Sequence, residues 1–334
     1  YDAVDAPNLS GNNGGMGMKS IGASIRRVDG DEKARGAARY LSDIQIPGVL
    51  IGRLLVADKA PATVASVVAP VLPAGYSLVN AGDVPGLNGV HMIEESLPLV
   101  ADPDVEYIGQ PVAMLVGPDP RVLTDLMESI SIEYRTPEER ESASDSVSFP
   151  DALSDSQAVS FADYSLEFVR PESAPPIKPA TQPATAPAGA GREAGCLTEA
   201  FETGAQEHVY LETQSMAAEF ADGTLTVRGS MQCPYYVKTA LEMLTGVDTA
   251  NIRVIQDTTG GGFGGKEEFP SVIACAVAVA AMKTGRPVRI ILDRDEDVRI
   301  STKRHPSRTR FDSTMDEDGV WQETEINISL DAGA

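Results

Sequence analysis

Residues 260–267, Gly-Gly-Gly-Phe-Gly-Gly-Lys-Glu, constrain the fold of this chain more than any other stretch. Five of these eight residues are glycine, which allows positive φ angles and a close approach of the backbone to a ligand. Alternating β-branched and polar residues predict a strand at 253–257. Pro270 near its start and Gly285 beyond its end predict a buried helix over 270–283. The amides of a glycine loop between a strand and a helix favour an anion or an oxo group.

Several chemistries are compatible with this loop. Gly260, Gly262 and Gly265 fit the dinucleotide fingerprint G-x-G-x-x-G, although any glycine run produces that spacing by chance. Residues 260–266 fit the first seven positions of a phosphate loop. Glu267, however, stands where a hydroxyl group should reach Mg²⁺, and its charge would repel a triphosphate. A tight turn that only packs the helix on the sheet is the structural alternative.

Composition limits the class of protein. The chain has 334 residues, enough for two domains, and its 42% hydrophobic and 23% charged residues are typical of a soluble globular protein. The net charge of −22 argues against nucleic acid or an anionic membrane surface as a partner. We find no segment of transmembrane length and no signal peptide, and we expect a cytoplasmic protein.

Cysteine and histidine usage argues against a metal held by side chains. The residues concerned are Cys196, Cys233, Cys275, His91, His208 and His305. The cysteines form no C-x-x-C pair and are too few for an iron–sulfur cluster, which normally takes four. The histidines lack zinc-ligand spacing. We therefore expect buried free thiols and no metal ligand from a side chain.

The pattern along the chain predicts four segments. Residues 1–19 are expected to form a flexible arm, and residues 151–192, rich in proline, an extended linker. Strands predicted at 48–57, 105–116 and 131–134 and a helix at 120–129 indicate that residues 20–150 form an α+β domain. Residues 193–334 are expected to form a second domain.

Gln232 is the second candidate site residue that the pattern indicates. It lies between a strand predicted at 224–229 and a helix predicted at 234–244 with Gly246 as its C-cap. Ligands often bind at such strand-to-helix crossings in α/β layers. If the two strands are parallel neighbours, Gln232 and Phe263 lie side by side at one sheet edge. A strand is also predicted at 287–293, with a charged turn at 294–297.

The glycine loop, with Gln256-Asp257 ahead and an apolar helix behind, resembles the molybdenum-cofactor loop of the xanthine dehydrogenase and aldehyde oxidase family. Residues 36–40 and 107–112 are similar to the family's hammerhead domain. The resemblance implies an α+β fold, with a hammerhead-like α/β domain followed by part of a molybdopterin-binding α/β domain.

The resemblance also implies roles for individual residues. Gln232 matches the glutamine that hydrogen-bonds a molybdenum oxygen. Phe263 and Gly264, flanked by Gly262 and Gly265, match the cofactor-binding backbone beside the metal. Glu267 matches the glutamate that binds the heterocycle and stabilises charge in purine hydroxylases. Aldehyde-oxidising relatives usually carry another residue there, and a carboxylate at that position can also cap the helix.

Three acidic or basic side chains near the start of the second domain invite a catalytic interpretation. Glu207 and Glu212 could act as acids, and His208 could be a ligand. We favour hydrogen-bonded structural roles for all three.

From the resemblance we expect a molybdenum–molybdopterin cofactor, with or without a nucleotide, and hydroxylation of a purine or related N-heterocycle. The family's general base maps to no residue of this chain. Either the subunit is divided between two chains or this sequence is a fragment. We expect a partner chain carrying the remaining half of the domain, an iron–sulfur subunit and an FAD subunit, and an isolated chain that is inactive. The alternatives are an aldehyde-oxidising member of the family, a non-catalytic cofactor-binding component and an NAD-dependent dehydrogenase.

Overall fold

The computed structural model describes residue 24 and residues 27–91, 96–135 and 195–330. The predicted arm (1–19) and linker (151–192) lie outside the described residues. The chain divides into two compact units, residues 1–39 and 40–334. The described part of the first unit contains the short helix α1, Gly30–Ala34. All the other elements belong to the second unit.

The second unit combines four further helices with fifteen strands in the described residues. The helices are α2 (Pro120–Ser129), α3 (Pro234–Thr245), α4 (Pro270–Thr284) and α5 (Arg294–Ile300). The strands are β1 (Leu50–Val56), β2 (Ala62–Val68), β3 (Ser77–Val79), β4 (Val90–His91), β5 (Ser96–Leu97), β6 (Asp104–Val105), β7 (Pro111–Gly117), β8 (Ser131–Tyr134), β9 (Gly195–Thr203), β10 (Ser215–Ala221), β11 (Thr224–Gly229), β12 (Ile252–Gln256), β13 (Val288–Ile291), β14 (Ser307–Met315) and β15 (Trp321–Leu330).

A seven-stranded mixed sheet, in the order β12-β11-β10-β13-β1-β7-β3, forms the centre of the second unit. It joins strands from the segment before residue 136 to strands from the segment after residue 194. β11 and β12 are parallel neighbours, and Gly229 lies opposite Gln256 at their carboxyl ends. Two three-stranded sheets, β6-β2-β8 and β15-β14-β9, and the pair β4-β5 complete the strand pairings of the described residues.

Helix α4 packs against the central sheet and supplies much of the core. Its residues from Pro270 to Ala281 are all buried. Pro270 opens the helix, where its missing N–H costs nothing, and Gly285 ends it with a left-handed φ of 63°. Both features confirm the sequence prediction.

Helix α3 packs beside α4 and follows the same rules. Val237, Leu241 and Leu244 form its buried face, as predicted from their spacing, and Gly246 provides the left-handed C-cap. The predicted helix at 120–129 and the strands at 131–134 and 224–229 also have the predicted bounds.

Two predictions of local structure fail, and one strand was not predicted. The strand predicted at 105–116 is two strands, β6 and β7, because Gly109 takes a φ of 94° between them. The charged turn predicted at 294–297 is helix α5, since Asp293 and Glu296 form a capping box that starts a helix. The sequence pattern did not reveal β10, whose small residues in the run 215–221 carry little strand signal.

The expectation of buried thiols is also only partly met. All three cysteines are free, but only Cys275 is fully buried, whereas Cys233 is half-buried and Cys196 is exposed. Burial raises the pKa of the Cys275 thiol well above its usual range. Cys275 is therefore a packing residue of α4.

The close packing of α3 predicts a large cost for a cavity there. Leu244→Ala removes a side chain that is 0% exposed, and we expect the free energy of unfolding to fall by about 2–5 kcal/mol. Met243→Ala, at a neighbouring position that is 47% exposed, is the matched control and should change it by less than about 0.5 kcal/mol. Urea denaturation followed by circular dichroism measures both, and equal effects would contradict the packing described for α3.

Candidate functional site

Gln232 is held against the glycine loop by three hydrogen bonds. Its side-chain Oε1 accepts from the backbone N–H of Gly264 at 3.1 Å and of Lys266 at 3.2 Å. Its own N–H donates to the carbonyl of Lys266 at 2.6 Å. Because β11 and β12 are parallel, the two strand-to-helix crossings meet at one edge of the sheet. The predicted juxtaposition of Gln232 with the loop is confirmed.

Three of the loop glycines are needed because other parts of the protein come very close. A Cβ on Gly262 would lie 2.3 Å from Gln232 Oε1. A Cβ on Gly260 would lie 2.6 Å from Glu212 Cβ, and one on Gly265 would lie 2.6 Å from the ring of Tyr210. Real Cβ contacts are never this short, so a side chain at any of these positions would displace the loop.

The tip of the loop is strained and exposed. Gly261 and Gly264 have φ angles of 103° and 95°. Phe263 between them also takes a positive φ, 54°, and is 80% exposed. A non-glycine residue in this conformation is uncommon, and such residues cluster at functional sites.

The loop leaves hydrogen-bond donors free. The N–H of Gly265 donates to Gly262 and the N–H of Glu267 to Gly264. The N–H groups of Gly261, Gly262 and Phe263 donate to no atom of the described residues. Consecutive free amides of this kind suit an anion or an oxo group.

The side-chain amide of Gln232 adds a further donor. Both of its loop contacts use Oε1, and its Nε2 has no partner among residues 27–91, 96–135 and 195–330. Gln232 is an exposed residue. Its two N–H bonds are therefore available to an acceptor beside the loop.

One carboxylate oxygen fastens both ends of the loop. Glu212 Oε2 accepts from the N–H of Gly260 at 2.6 Å, from Ser230 Oγ at 2.7 Å and from Lys266 Nζ at 3.0 Å. Lys266 Nζ also donates to Ser230 Oγ at 2.9 Å and lies 4.8 Å from the centre of the Tyr210 ring. We call Glu212, Ser230 and Lys266 the loop clamp.

The loop clamp excludes the phosphate-loop interpretation. A phosphate-loop lysine must reach the ligand, whereas Lys266 is 0% exposed and directs its ammonium group into the protein. Burial lowers the pKa of Lys266, although the adjacent Glu212 carboxylate opposes that shift. Lys266 is a structural cation.

A second polar network holds the loop at the carbonyl of Gly265. Gln214 Nε2 donates to the carbonyl of Gly265 at 2.7 Å and to Tyr210 Oη at 2.8 Å. Tyr210 Oη donates to Asp297 at 3.1 Å, and Arg294 pairs with the other oxygen of that carboxylate at 3.2 Å. Burial raises the pKa of both Tyr210 and Asp297. The sequence analysis did not identify these supporting residues.

Two of the three candidate acid or base residues have the hydrogen-bonded roles expected of them. Glu212 belongs to the loop clamp, and Glu207 accepts from Ser301 Oγ at 3.2 Å and pairs with Lys303 at 3.3 Å. His208 lies against Gly265. Its buried Nδ1 atom has no hydrogen-bond partner among the described residues, although Glu207 Oε1 lies 3.8 Å away. The structural role expected for His208 stays a prediction.

Glu267 is free to contact a ligand. It is exposed, and its carboxylate makes no hydrogen bond with the described residues. Helix α4 has Phe269 at its N-cap, with no side-chain capping bond, so Glu267 does not cap the helix. The pKa of Cys233 is raised by burial and then by the charges of Glu267 and Glu268.

The described residues contain no group of three or more His, Cys, Asp or Glu side chains that could hold a metal ion. None of the described helices is both long and apolar enough to cross a membrane. The glycine loop with Gln232 is the candidate site because it offers hydrogen-bond donors that no described residue uses.

Two family models match the chain. Residues 181–334 match the molybdopterin cofactor-binding domain, and residues 35–138 match the a/b hammerhead domain of aldehyde oxidase and xanthine dehydrogenase. These matches agree with the predicted fold class.

Curated relatives resemble nearly the whole chain. A probable xanthine dehydrogenase subunit from Bacillus subtilis is 28% identical over 92% of this chain and 40% of its own length. An indole-3-acetaldehyde oxidase from Zea mays is 28% identical over 94% of this chain and 23% of its own length. The nicotinate dehydrogenase large molybdopterin subunit from Eubacterium barkeri is 24% identical over 96% of this chain and 72% of its own length.

Among solved structures, quinoline 2-oxidoreductase from Pseudomonas putida 86 superimposes with a TM-score of 0.69. The match covers 91% of this chain and 38% of that chain, at 23% sequence identity, and shows that the fold is shared. The chain spans about two fifths or less of the Bacillus, Zea and Pseudomonas proteins.

The loop clamp predicts that its charges depend on each other. Lys266→Met leaves the Glu212 carboxylate without its cation, and we expect the free energy of unfolding to fall by about 3 kcal/mol. Combining it with Glu212→Gln removes both charges, so the double variant should lose clearly less than the sum of the two single losses. Chemical denaturation of the four proteins measures this coupling, and strict additivity would disprove it.

Proposed function

Because this chain belongs to the molybdopterin-binding subunits of the xanthine dehydrogenase and aldehyde oxidase family, we propose that its glycine loop and Gln232 form one wall of a molybdenum hydroxylase active site. The complete enzyme would hydroxylate a purine or a related N-heterocycle with oxygen derived from water. One observation carries the proposal above all: Gln232 is fixed against the loop while its Nε2 and three consecutive loop amides keep free N–H groups.

The residues present fit a molybdenum–molybdopterin cofactor. The backbone N–H groups of Gly261, Gly262 and Phe263 donate to no atom of the described residues, so the loop offers donors rather than charges. Such donors suit oxo groups and the polar edges of a pterin. Gln232, Gly262, Phe263, Gly264 and Gly265 are the residues that would hold the group, and the metal would receive no side-chain ligand.

The bound cofactor would supply the two-electron oxidation of a substrate carbon. The chain's own residues would bind the cofactor and orient the substrate. Gln232 Nε2 would donate to an oxygen beside the metal, and it is preorganised because both loop bonds to Oε1 keep its amide in place. Phe263 would cover the substrate from the exposed side of the loop and exclude water from it.

Glu267 supports a heterocyclic substrate. Its carboxylate is exposed and unused by the helix behind it, so it can pair with ring N–H groups and stabilise charge on the ring. The names of the relatives include xanthine, nicotinate and an aldehyde. An aldehyde-oxidising enzyme is therefore the second candidate within the family.

We also propose that the active enzyme needs further polypeptide and electron-transfer partners. A general base, an iron–sulfur subunit and an FAD subunit would come from outside the described residues. The Eubacterium relative supports a divided subunit, because a chain only moderately longer than this one is named a large molybdopterin subunit. A non-catalytic cofactor-binding component remains the alternative to an enzyme. The cytoplasmic location stays a prediction.

Molybdenum content tests the cofactor proposal. We expect near-stoichiometric molybdenum in the natively purified complex that contains this chain. Gly262→Ala should lower the molybdenum content, because its Cβ would overlap Gln232 Oε1. Gly204→Ala, where an added Cβ meets nothing within 4 Å, controls for the loss of a glycine. An intact and active complex without molybdenum would refute the proposal and return the loop to the dinucleotide interpretation.

Glu267→Gln tests the substrate class. It removes the charge and keeps the shape, so we expect kcat/KM for purine hydroxylation to fall about 100-fold with molybdenum content unchanged. Glu268→Gln, at the neighbouring residue, should have a much smaller effect. If Glu267→Gln leaves purine turnover intact, or if only aldehydes are turned over, the heterocycle proposal is wrong.

A further inference from the structure

Gln214 is a buried glutamine whose side-chain amide contacts the glycine loop. It is 0% exposed and lies directly before β10. Its main chain is held on both sides, because its N–H donates to Asp297 Oδ1 at 3.3 Å and its carbonyl accepts from the N–H of Leu292 at 3.0 Å. Its Nε2 donates to the carbonyl of Gly265 at 2.7 Å. The loop is therefore attached to a rigid donor away from solvent.

The orientation of the Gln214 amide is fixed by its neighbours. Nε2 donates to Gly265 and to Tyr210 Oη, whereas Oε1 has no hydrogen-bond partner among the described residues. A flipped amide would put an acceptor against the Gly265 carbonyl, which is itself an acceptor. A buried acceptor without a partner costs free energy that an apolar side chain of similar size would avoid. What glutamine adds at this position is the pair of hydrogen bonds made by Nε2, one of them to the loop.

The bond from Gln214 is in series with a bond that holds Gln232. The carbonyl of Gly265 and the N–H of Lys266 belong to one peptide group, and this N–H donates to Gln232 Oε1 at 3.2 Å. Three amide groups are thus linked head to tail, from Gln214 through the peptide group 265–266 to Gln232. We call this series the amide chain. Hydrogen bonds in series polarise one another, and each is electrostatically stronger away from water.

We propose that Gln214 is a positioning residue for the hydroxylation reaction, because it fixes and polarises the side-chain amide of Gln232 through the peptide group 265–266. This inference rests on the proposed function for the ligand of Gln232 Nε2, and it adds a residue that does not touch that ligand. A polarised N–H is the stronger donor to an oxygen that gains negative charge during the two-electron reduction of the cofactor.

The amide chain acts on the side chain of Gln232, whose main chain is held separately. The Gln232 N–H donates to the carbonyl of Lys266 at 2.6 Å, and the preceding carbonyl, that of Met231, accepts from Gln256 Nε2 at 2.7 Å. Neither bond involves Gln214. Loss of the Gln214 donor therefore weakens the hold on the Gln232 side-chain amide and leaves its backbone in place.

Gln214→Met in the natively assembled complex tests the proposal. It removes the donor and the unpartnered oxygen together and keeps nearly the same size. Gln110→Met is the matched control, since Gln110 is also 0% exposed, accepts one hydrogen bond at Oε1 from the N–H of Glu106 and has an unpartnered Nε2. Circular dichroism checks that both variants fold.

Hydrogen exchange resolved to single amides is the first measurement, and it does not depend on the cofactor. The N–H groups of Gly264 and Lys266 both donate to Gln232 Oε1. We expect them to exchange about ten-fold faster in Gln214→Met and at the wild-type rate in Gln110→Met. Unchanged exchange in Gln214→Met, or equal acceleration in both variants, would overturn the proposal.

Kinetics and redox potential give the second measurement. For Gln214→Met we expect kcat per bound molybdenum to fall about ten-fold with KM unchanged. We also expect the midpoint potential of the bound molybdenum to fall by up to about 59 mV, the one-electron equivalent of a ten-fold change. A merely structural loss would lower the amount of loaded enzyme and leave this potential unchanged. Faster exchange with both kcat and potential unchanged would contradict the proposal.

A double variant tests whether Gln214 acts through Gln232. Gln232→Met removes the amide at the end of the amide chain, so adding Gln214→Met should change kcat and the potential much less than it does in the wild type. Equal effects in both backgrounds would show independent action and overturn the proposal. If Gln214→Met fails the folding check, Tyr210→Phe takes its place. It removes only the hydroxyl that fixes Nε2 and should give a smaller shift in the same direction.

Molybdenum analysis of the same complex separates the two hypotheses. Faster exchange in Gln214→Met in a complex without molybdenum would leave the positioning of Gln232 standing and refute the proposed cofactor. Molybdenum in the wild type with unchanged exchange in Gln214→Met would do the reverse.

Discussion

The sharing of one carboxylate oxygen, Glu212 Oε2, among three donors is the interaction on which the candidate site depends. It fastens the first amide of the glycine loop, the ammonium group of Lys266 at the loop's far end, and the hydroxyl of Ser230 after β11. A buried ammonium group is costly unless it is paired and hydrogen-bonded. The loop can therefore take this shape only when the segment before β10, the end of β11 and both of its own ends are in place together.

This arrangement prepares the loop before any ligand binds. Gln232 uses its side-chain oxygen to hold the loop and keeps its nitrogen free for the proposed ligand. Several glycines serve packing rather than the ligand directly, because Gln232, Glu212 and Tyr210 occupy the space of their side chains. Preorganised donors of this kind bind without an ordering cost.

The second unit has a well-packed core around α4 and exposed hydrophobic side chains on the sheet β15-β14-β9. Around α4 the central sheet is packed on all sides, and strands from both halves of the chain share it. In the sheet β15-β14-β9, by contrast, Phe201, Ile328 and Leu330 are each more than half exposed.

The sequence by itself determined the elements that local signals specify. All of α2, α3 and α4 have proline starts, α3 and α4 have glycine ends, and α2 and α3 show apolar spacing. The glycine loop was predicted from its composition. The sequence also predicted that Gln232 meets the loop, because two consecutive strand-to-helix crossings of parallel strands share one edge. Tertiary structure alone decided the direction of Lys266, the sharing of Glu212 and the place of β10 between β11 and β13 in the central sheet. Lys266 and Glu212 are 54 positions apart in sequence. A buried charge or a strand of small residues is defined by what surrounds it rather than by its neighbours in sequence.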